Sequence, residues 1–152
     1  MIVLDSSFLI GFHNERDTHH EAASALMDQF LAGKWGRGVL LEYVFLEVMT
    51  VLLVRRDLGV AARVGRILLE AQELEFVPCS DLFSETLTVF LAQTGTRLSF
   101  ADAAISYVAQ KRADGLILSF DDELRKIPGI RAPDSTRSGS TTQARRKRMR
   151  PV

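Results

Sequence analysis

The chain has 152 residues, 47% hydrophobic and 25% charged, which suits one domain with a sizeable core. A single cysteine, Cys79, excludes an internal disulfide framework, suits a reducing compartment and is expected in the core. No apolar run approaches the ~20 residues of a membrane span, and Asp5 interrupts the first apolar run with no basic region before it. A cytoplasmic protein without a signal peptide is therefore expected.

The net charge of zero is unevenly spread. Residues 134–152 hold six basic residues (Arg137, Arg145, Arg146, Lys147, Arg148, Arg150) against one acid, Asp134, which leaves 13 basic and 18 acidic residues in 1–133. The body thus carries about −5 and the tail about +5. The tail is rich in Ser, Thr and Gly and nearly free of large apolar groups. It is expected to be disordered, because it buries too little surface to offset its ordering entropy. Its basic cluster offers nonspecific affinity for nucleic-acid phosphates. The expected organisation is a globular body over 1–133 and a basic tail over 134–152.

Along the chain, strands and helices alternate. IVL (2–4) reads as a buried strand, followed by a helix from Ser6 or Ser7, where a serine cap would leave Asp5 free. Thr18 and Glu21 have capping-box spacing ahead of a helix ending near Gly33. GVLL (38–41) is a second strand, and residues 43–56 form a strongly apolar helix ending in two arginines. Residues 60–72 are amphipathic, and LEFVP (74–78) is a third strand stopped by proline. Asp81 is expected to cap a helix to about Gln93, and Ser99 with Asp102 to open another to about Arg112. GLILS (115–119) is a fourth strand, Asp122 is the expected cap of the FDDEL turn, and a short fifth strand is expected near Ile130 and Arg131. Strands separated by helices imply right-handed crossovers and a parallel sheet, with any ligand site off the carboxyl ends of the strands.

Four acids stand out. Asp5 follows the first strand and Asp121 follows the fourth. Glu47 sits in FLEVMTVLL with no basic partner at i±3 or i±4, and Asp102 equally lacks one. An unpaired carboxylate against a core costs several kcal/mol or shifts its pKa. Singly, each has a structural explanation: a cap for Asp5, Asp102 and Asp121, and a solvent-facing position or a distant arginine for Glu47. Together they would repel one another, a conflict that a hard divalent cation such as Mg²⁺ or Mn²⁺ resolves. Clustered Cys and His are missing from the sequence, which argues against zinc. Carboxylates around a divalent ion are a standard route to phosphodiester hydrolysis.

The segments IVLDSSFLI, LEYVFLEVMTVLLVRR, LSFADAAI and ILSFDDEL, in this order, resemble the PIN-domain ribonucleases, in particular the VapC-like toxins of toxin–antitoxin pairs, over about residues 1–132. The resemblance implies a three-layer α/β/α sandwich around a parallel sheet of four to five strands. It implies a Mg²⁺- or Mn²⁺-dependent endoribonuclease, with an RNA substrate, a cognate antitoxin and a homodimer. Asp5 and Asp102 would be principal metal ligands, Glu47 would bind metal or orient the attacking water, and Asp121 would complete the site. Ser6 and Ser119 match supporting hydroxyl positions. Leu124 stands where the family often has an aromatic, and Glu123 is a candidate fifth acid. Arg55, Arg56, Arg97, Arg145 and Arg146 are candidates for holding RNA.

His19 and His20 in THHEAA are read as cap and first turn, since a metal-dependent reaction needs no histidine base. Other readings remain: a housekeeping RNA-processing nuclease of the same fold, or a non-catalytic RNA- or partner-binding module. An aspartate-nucleophile phosphatase is disfavoured because Ser7 stands where that chemistry usually has a second acid.

Overall fold

A computed structural model describes residues 1–136. Its strands are the aliphatic runs Ile2–Leu4 (β1), Gly38–Leu41 (β2), Leu74–Val77 (β3) and Ile117–Leu118 (β4). They pair in parallel in the order β3-β2-β1-β4. All of β1 and β4 is buried, as is Val39–Leu41 of β2, which is why these strands read as continuous apolar runs rather than alternating ones.

The helices are Ser6–His13 (α1), His20–Leu31 (α2), Glu42–Arg55 (α3), Leu58–Glu70 (α4), Phe83–Ala92 (α5), Phe100–Arg112 (α6) and Asp122–Arg125 (α7). α1 packs on α2 and α3, and α3 on α4; α5 packs on α6, which lies against β1. The chain runs outward from β1 to β3 and then returns to the other side of β1 as β4. Right-handed crossovers therefore put α1 to α4 on one face and α5 and α6 on the other, the expected three-layer α/β/α arrangement. The reversal leaves a switch point between β1 and β4, where their carboxyl ends open a crevice.

The helix starts differ from several expectations. Asp5 itself is the N-cap of α1, accepting the Ser7 amide at 3.3 Å, because Asp5 is still extended while Ser6 and Ser7 are already helical. The Thr18–Glu21 box does not form: Asp17 Oδ1 accepts the His19 amide at 2.8 Å, and α2 starts after His19 without a side-chain cap. Asp81 lies within a single turn of 3₁₀ helix, Ser80–Leu82, so α5 also starts uncapped by a side chain. Asp57 caps α4, two residues earlier than the amphipathic pattern indicated. Asp121, not Asp122, caps α7, accepting the Glu123 amide at 2.8 Å.

The Ser99 and Asp102 capping box forms as expected. The fifth strand reduces to one parallel bridge between Leu116 and Arg131, since Pro133 has no N–H with which to extend the ladder. Leu124 is fully buried and fills the place where an aromatic was expected. Cys79 is buried. Arg137, Arg145, Arg146 and the rest of 137–152 lie outside the described residues. Asp134, at the start of the expected tail, stands 3.7 Å from Arg125.

Gly115 closes the turn from α6 into β4. Its amide donates to Ala109 O, its carbonyl accepts the Arg131 amide, and its φ is +77°. An added Cβ would also overlap the Gly129 carbonyl oxygen. Gly115→Ala is expected to lower stability by about 2 kcal/mol or more in urea titration; an unchanged midpoint would contradict this account of the turn.

Candidate active site

β1 and β4 lie side by side, and the Asp5 amide donates to Leu118 O at 3.0 Å. This pairing brings the residue after each strand together. Asp5 is only 3% exposed, and a buried carboxylate needs donors. Its Oδ2 accepts the hydroxyls of Ser7 at 2.5 Å and Ser119 at 2.8 Å, besides the Ser7 amide. From the described residues, Oδ1 receives only a long contact of 3.4 Å from the Ser6 hydroxyl.

Both strong hydroxyl donors are themselves held. Ser7 Oγ accepts the Phe120 amide and Ser119 Oγ accepts the Asp121 amide, each at 2.9 Å. Each hydroxyl has one proton, and both protons point to Asp5. Burial pushes the Asp5 pKa above its ordinary value, and the Ser7 and Ser119 hydrogen bonds draw it back only in part.

Asp102 lies in the first turn of α6. Its Oδ2 accepts the Ser99 amide at 3.0 Å, Ser99 Oγ accepts the Asp102 amide at 3.1 Å, and Oδ1 takes no hydrogen bond from the described residues. Its pKa is pushed up to about 6, by desolvation first and then by the charges of Asp5 and Asp121. These acids therefore share one field although they come from three segments. Glu47 is exposed on α3 rather than pressed against the core, which removes the burial conflict inferred from its neighbours. Glu47, Val51 and Arg55 form an i, i+4, i+8 stripe on α3 that faces the same crevice.

All four expected acids line one cleft of about 510 Å³, together with Ser6, Ser7 and Ser99. Ser119 is buried behind it, bonded to Asp5. The expected arginines divide. Arg55 lines the cleft with its Nη1 3.7 Å from Asp17 Oδ2. Arg56 turns to Asn14 Oδ1 at 3.1 Å, and the Arg97 amide donates to Glu123 Oε2 at 3.3 Å; neither lines the cleft. Glu123 pairs with Lys126 at 2.8 Å and stays outside it.

Sequence reasoning missed Ser7, Asp17 and His19. The doubled serine after Asp5 was the available signal for Ser7. His19, read as part of a cap, makes no side-chain cap and lines the cleft instead.

Among the described residues, no three Asp, Glu, His or Cys side chains stand close enough to form a ready-made metal cage. The donors are nevertheless all oxygen, and Mg²⁺ is ordinarily held by one or two carboxylates, water and substrate phosphate rather than by a protein cage. The residues present fit a hard divalent cation: Asp5 Oδ1 has only the 3.4 Å Ser6 contact, and Asp102 Oδ1, Asp121 Oδ2 and both Glu47 oxygens take no hydrogen bond from the described residues.

Carboxylates gathered at the switch point of a parallel α/β/α fold define the general class. The chain belongs to the PIN-domain family, which it matches over residues 2–130. Its fold is similar to that of Mycobacterium tuberculosis VapC20, described as a toxin that cleaves the sarcin-ricin loop. The TM-score is 0.71 at 22% identity, covering 82% of this chain and 93% of that one. PAE2754 from Pyrobaculum aerophilum is also similar, with a TM-score of 0.57 at 19% identity, covering 85% of this chain and 81% of that one. No protein of curated function matches the chain significantly.

Followed by carbon-13 NMR without divalent ions, the Asp102 carboxyl is expected to titrate near pH 6, and Asp5→Asn to lower that midpoint. The folded-state pKa is raised above 3.8, so the folded protein holds this proton more tightly than the unfolded chain, and the stability contributed is lost as pH rises from about 4 to about 6. Asp102→Asn keeps an acceptor for the Ser99 amide and should therefore raise the unfolding temperature at pH 7 in chelator. A lowered one would contradict the shared field.

Proposed function

We propose that this chain is a Mg²⁺- or Mn²⁺-dependent endoribonuclease that hydrolyses RNA phosphodiester bonds, acting as the toxin of a type II toxin–antitoxin pair. The observation that carries the reading is the meeting of Asp5, Glu47, Asp102 and Asp121 in one cleft at the switch point. Family membership supports nuclease chemistry, and the likeness to a toxin that cleaves ribosomal RNA supports the substrate class.

In this reading Asp5 and Asp102 are the principal metal ligands. Asp121 completes the set, and Glu47 binds the ion or orients the attacking water. Held by these acids, a divalent cation would supply neutralising charge and Lewis acidity toward the scissile phosphate. The protein's own part is positioning. Ser7 and Ser119 fix the Asp5 carboxylate, with Ser6 at its second oxygen. The Ser99 box fixes Asp102 while Oδ1 takes no hydrogen bond from the described residues. Asp121 is held by its own cap to the Glu123 amide.

Arg55 is the candidate at the cleft for holding RNA phosphates, with Arg56 and Arg97 further out. Arg145 and Arg146 belong to the basic tail, whose charge supports a phosphate-binding role. A cognate antitoxin and a homodimer are part of the same proposal. Leu46, Leu53 and Val54 of α3 are about half exposed or more and could bury in such a dimer.

The competing reading is a non-catalytic RNA- or partner-binding module of the same fold. Calorimetry separates the two readings: Mg²⁺ or Mn²⁺ binding that disappears in Asp5→Asn and Asp102→Asn supports the enzyme. Each of these variants should lower RNA cleavage at least about a hundredfold and relieve growth inhibition, with an unchanged circular dichroism spectrum. Cleavage at the parent rate by both would sink the proposal. Sequencing RNA 5′ ends after induction identifies the target and cut site. Removing residues 137–152 should flatten the dependence of RNA affinity on salt, because fewer counterions are released on binding; an unchanged slope would remove the tail from the RNA-binding surface.

A further inference from the structure

Among the described residues that line the cleft, His19 alone carries a ring, and the proposed chemistry does not use it. It lies in the loop between α1 and α2. The neighbouring His20 has a structural partner, its Nδ1 lying 2.9 Å from Gly11 O. The His19 side chain is exposed and provides no cap for α2. One face of its imidazole lies flat on Phe120, with ring centroids 4.4 Å apart and planes within 3°.

This stack is built rather than incidental. Phe120 is half-buried, packs on Phe8 at 6.5 Å, and donates its amide to Ser7 Oγ. The His19 amide is held by Asp17 Oδ1 at 2.8 Å. Gly11 lies against both side chains: a Cβ there would come within 3.3 Å of the His19 Cβ and 3.6 Å of Phe120 Cε2. The lower ring is also joined to the acids by the chain itself, since Phe120 sits between Ser119, which holds Asp5, and Asp121. A preset planar surface thus stands at a fixed register from carboxylates suited to a phosphate-bound cation. The ligand that matches both a planar apolar face and a phosphate is a nucleotide.

We propose that the His19–Phe120 stack is a base platform, on which an unpaired nucleobase of the RNA rests while its neighbouring phosphate lies at Asp5 and Asp102. The inference rests on the ribonuclease reading and adds to it the substrate class: the RNA must present an unstacked base next to the cut, as in a loop or bulge. Stacking accepts any base, so the platform positions the strand more than it reads sequence.

The test measures the affinity of fluorescent single-stranded RNA by anisotropy, with Ca²⁺ in place of Mg²⁺ so that a cation is present for the phosphate while turnover is slowed. His19→Ala should weaken binding about 5- to 100-fold, the range expected for loss of one stacked base. His19→Phe should restore it to within about threefold, while His19→Lys, which supplies charge without a ring, should not. A 2-aminopurine placed beside the cut should be quenched on binding to the parent and not on binding to His19→Ala. A blunt duplex should bind parent and His19→Ala equally. Parent-like affinity and quenching in His19→Ala, or rescue by Lys and not by Phe, would overturn the platform. Those results leave the ribonuclease reading standing if the parent cleaves RNA and Asp5→Asn does not. A parent that neither binds nor cleaves RNA would overturn both.

Discussion

The Asp5 carboxylate is buried with three hydrogen bonds on one oxygen and a single long contact on the other, and the surroundings are arranged around that imbalance. Burial demands donors, and the donors come from Ser7 on α1 and Ser119 at the end of β4. Both hydroxyls are oriented in turn by the Phe120 and Asp121 amides. The parallel pairing of β1 with β4 is what makes this exchange possible, since it sets both strand ends level. One carboxylate therefore fixes the path of residues 119–121, and with it the positions of Asp121 and the aromatic ring between them.

The gathering of negative charge is partly offset by backbone dipoles. Asp5 starts α1, Asp102 lies in the first turn of α6, and Asp121 starts α7. Helix N-termini favour negative charge by a few tenths to about 1 kcal/mol each. That compensation is incomplete, because Asp102 remains at about 6 and Asp5 remains raised. Folding thus tolerates the cluster without fully neutralising it, and a reserve of unmatched negative potential is left at the crevice.

The fold was legible because both its signals are strong and local. Buried parallel strands are aliphatic runs, as in Ile2–Leu4 and Gly38–Leu41, and no other element competes for that pattern. The four acids were legible through their strand-end or isolated positions. Helix starts were less so, because a cap depends on backbone conformation one residue either way: Asp5 preceded the serines expected to cap, and Asp17 displaced the Thr18 box. Glu47 misled in its reason though not in its place, since apolar neighbours along a helix do not reveal which stripe faces a crevice. His19 was missed because its stacking partner Phe120 is more than a hundred residues away in sequence, and Ser7 because the Phe120 amide that orients its hydroxyl toward Asp5 is equally distant.

Three of the four cleft acids also begin helices, and this has an evolutionary consequence. Asparagine caps a helix about as well as aspartate, and asparagine or glutamine can accept the same amide in a capping box. A lineage can therefore discharge Asp5, Asp102 or Asp121 by exchanging an oxygen for an amide nitrogen and still begin every helix in its place. The charge of the cleft and the architecture are separable here by single substitutions. Descendants that have lost this charge would be expected to persist as intact folds, distinguishable from the others at only a few carboxylates.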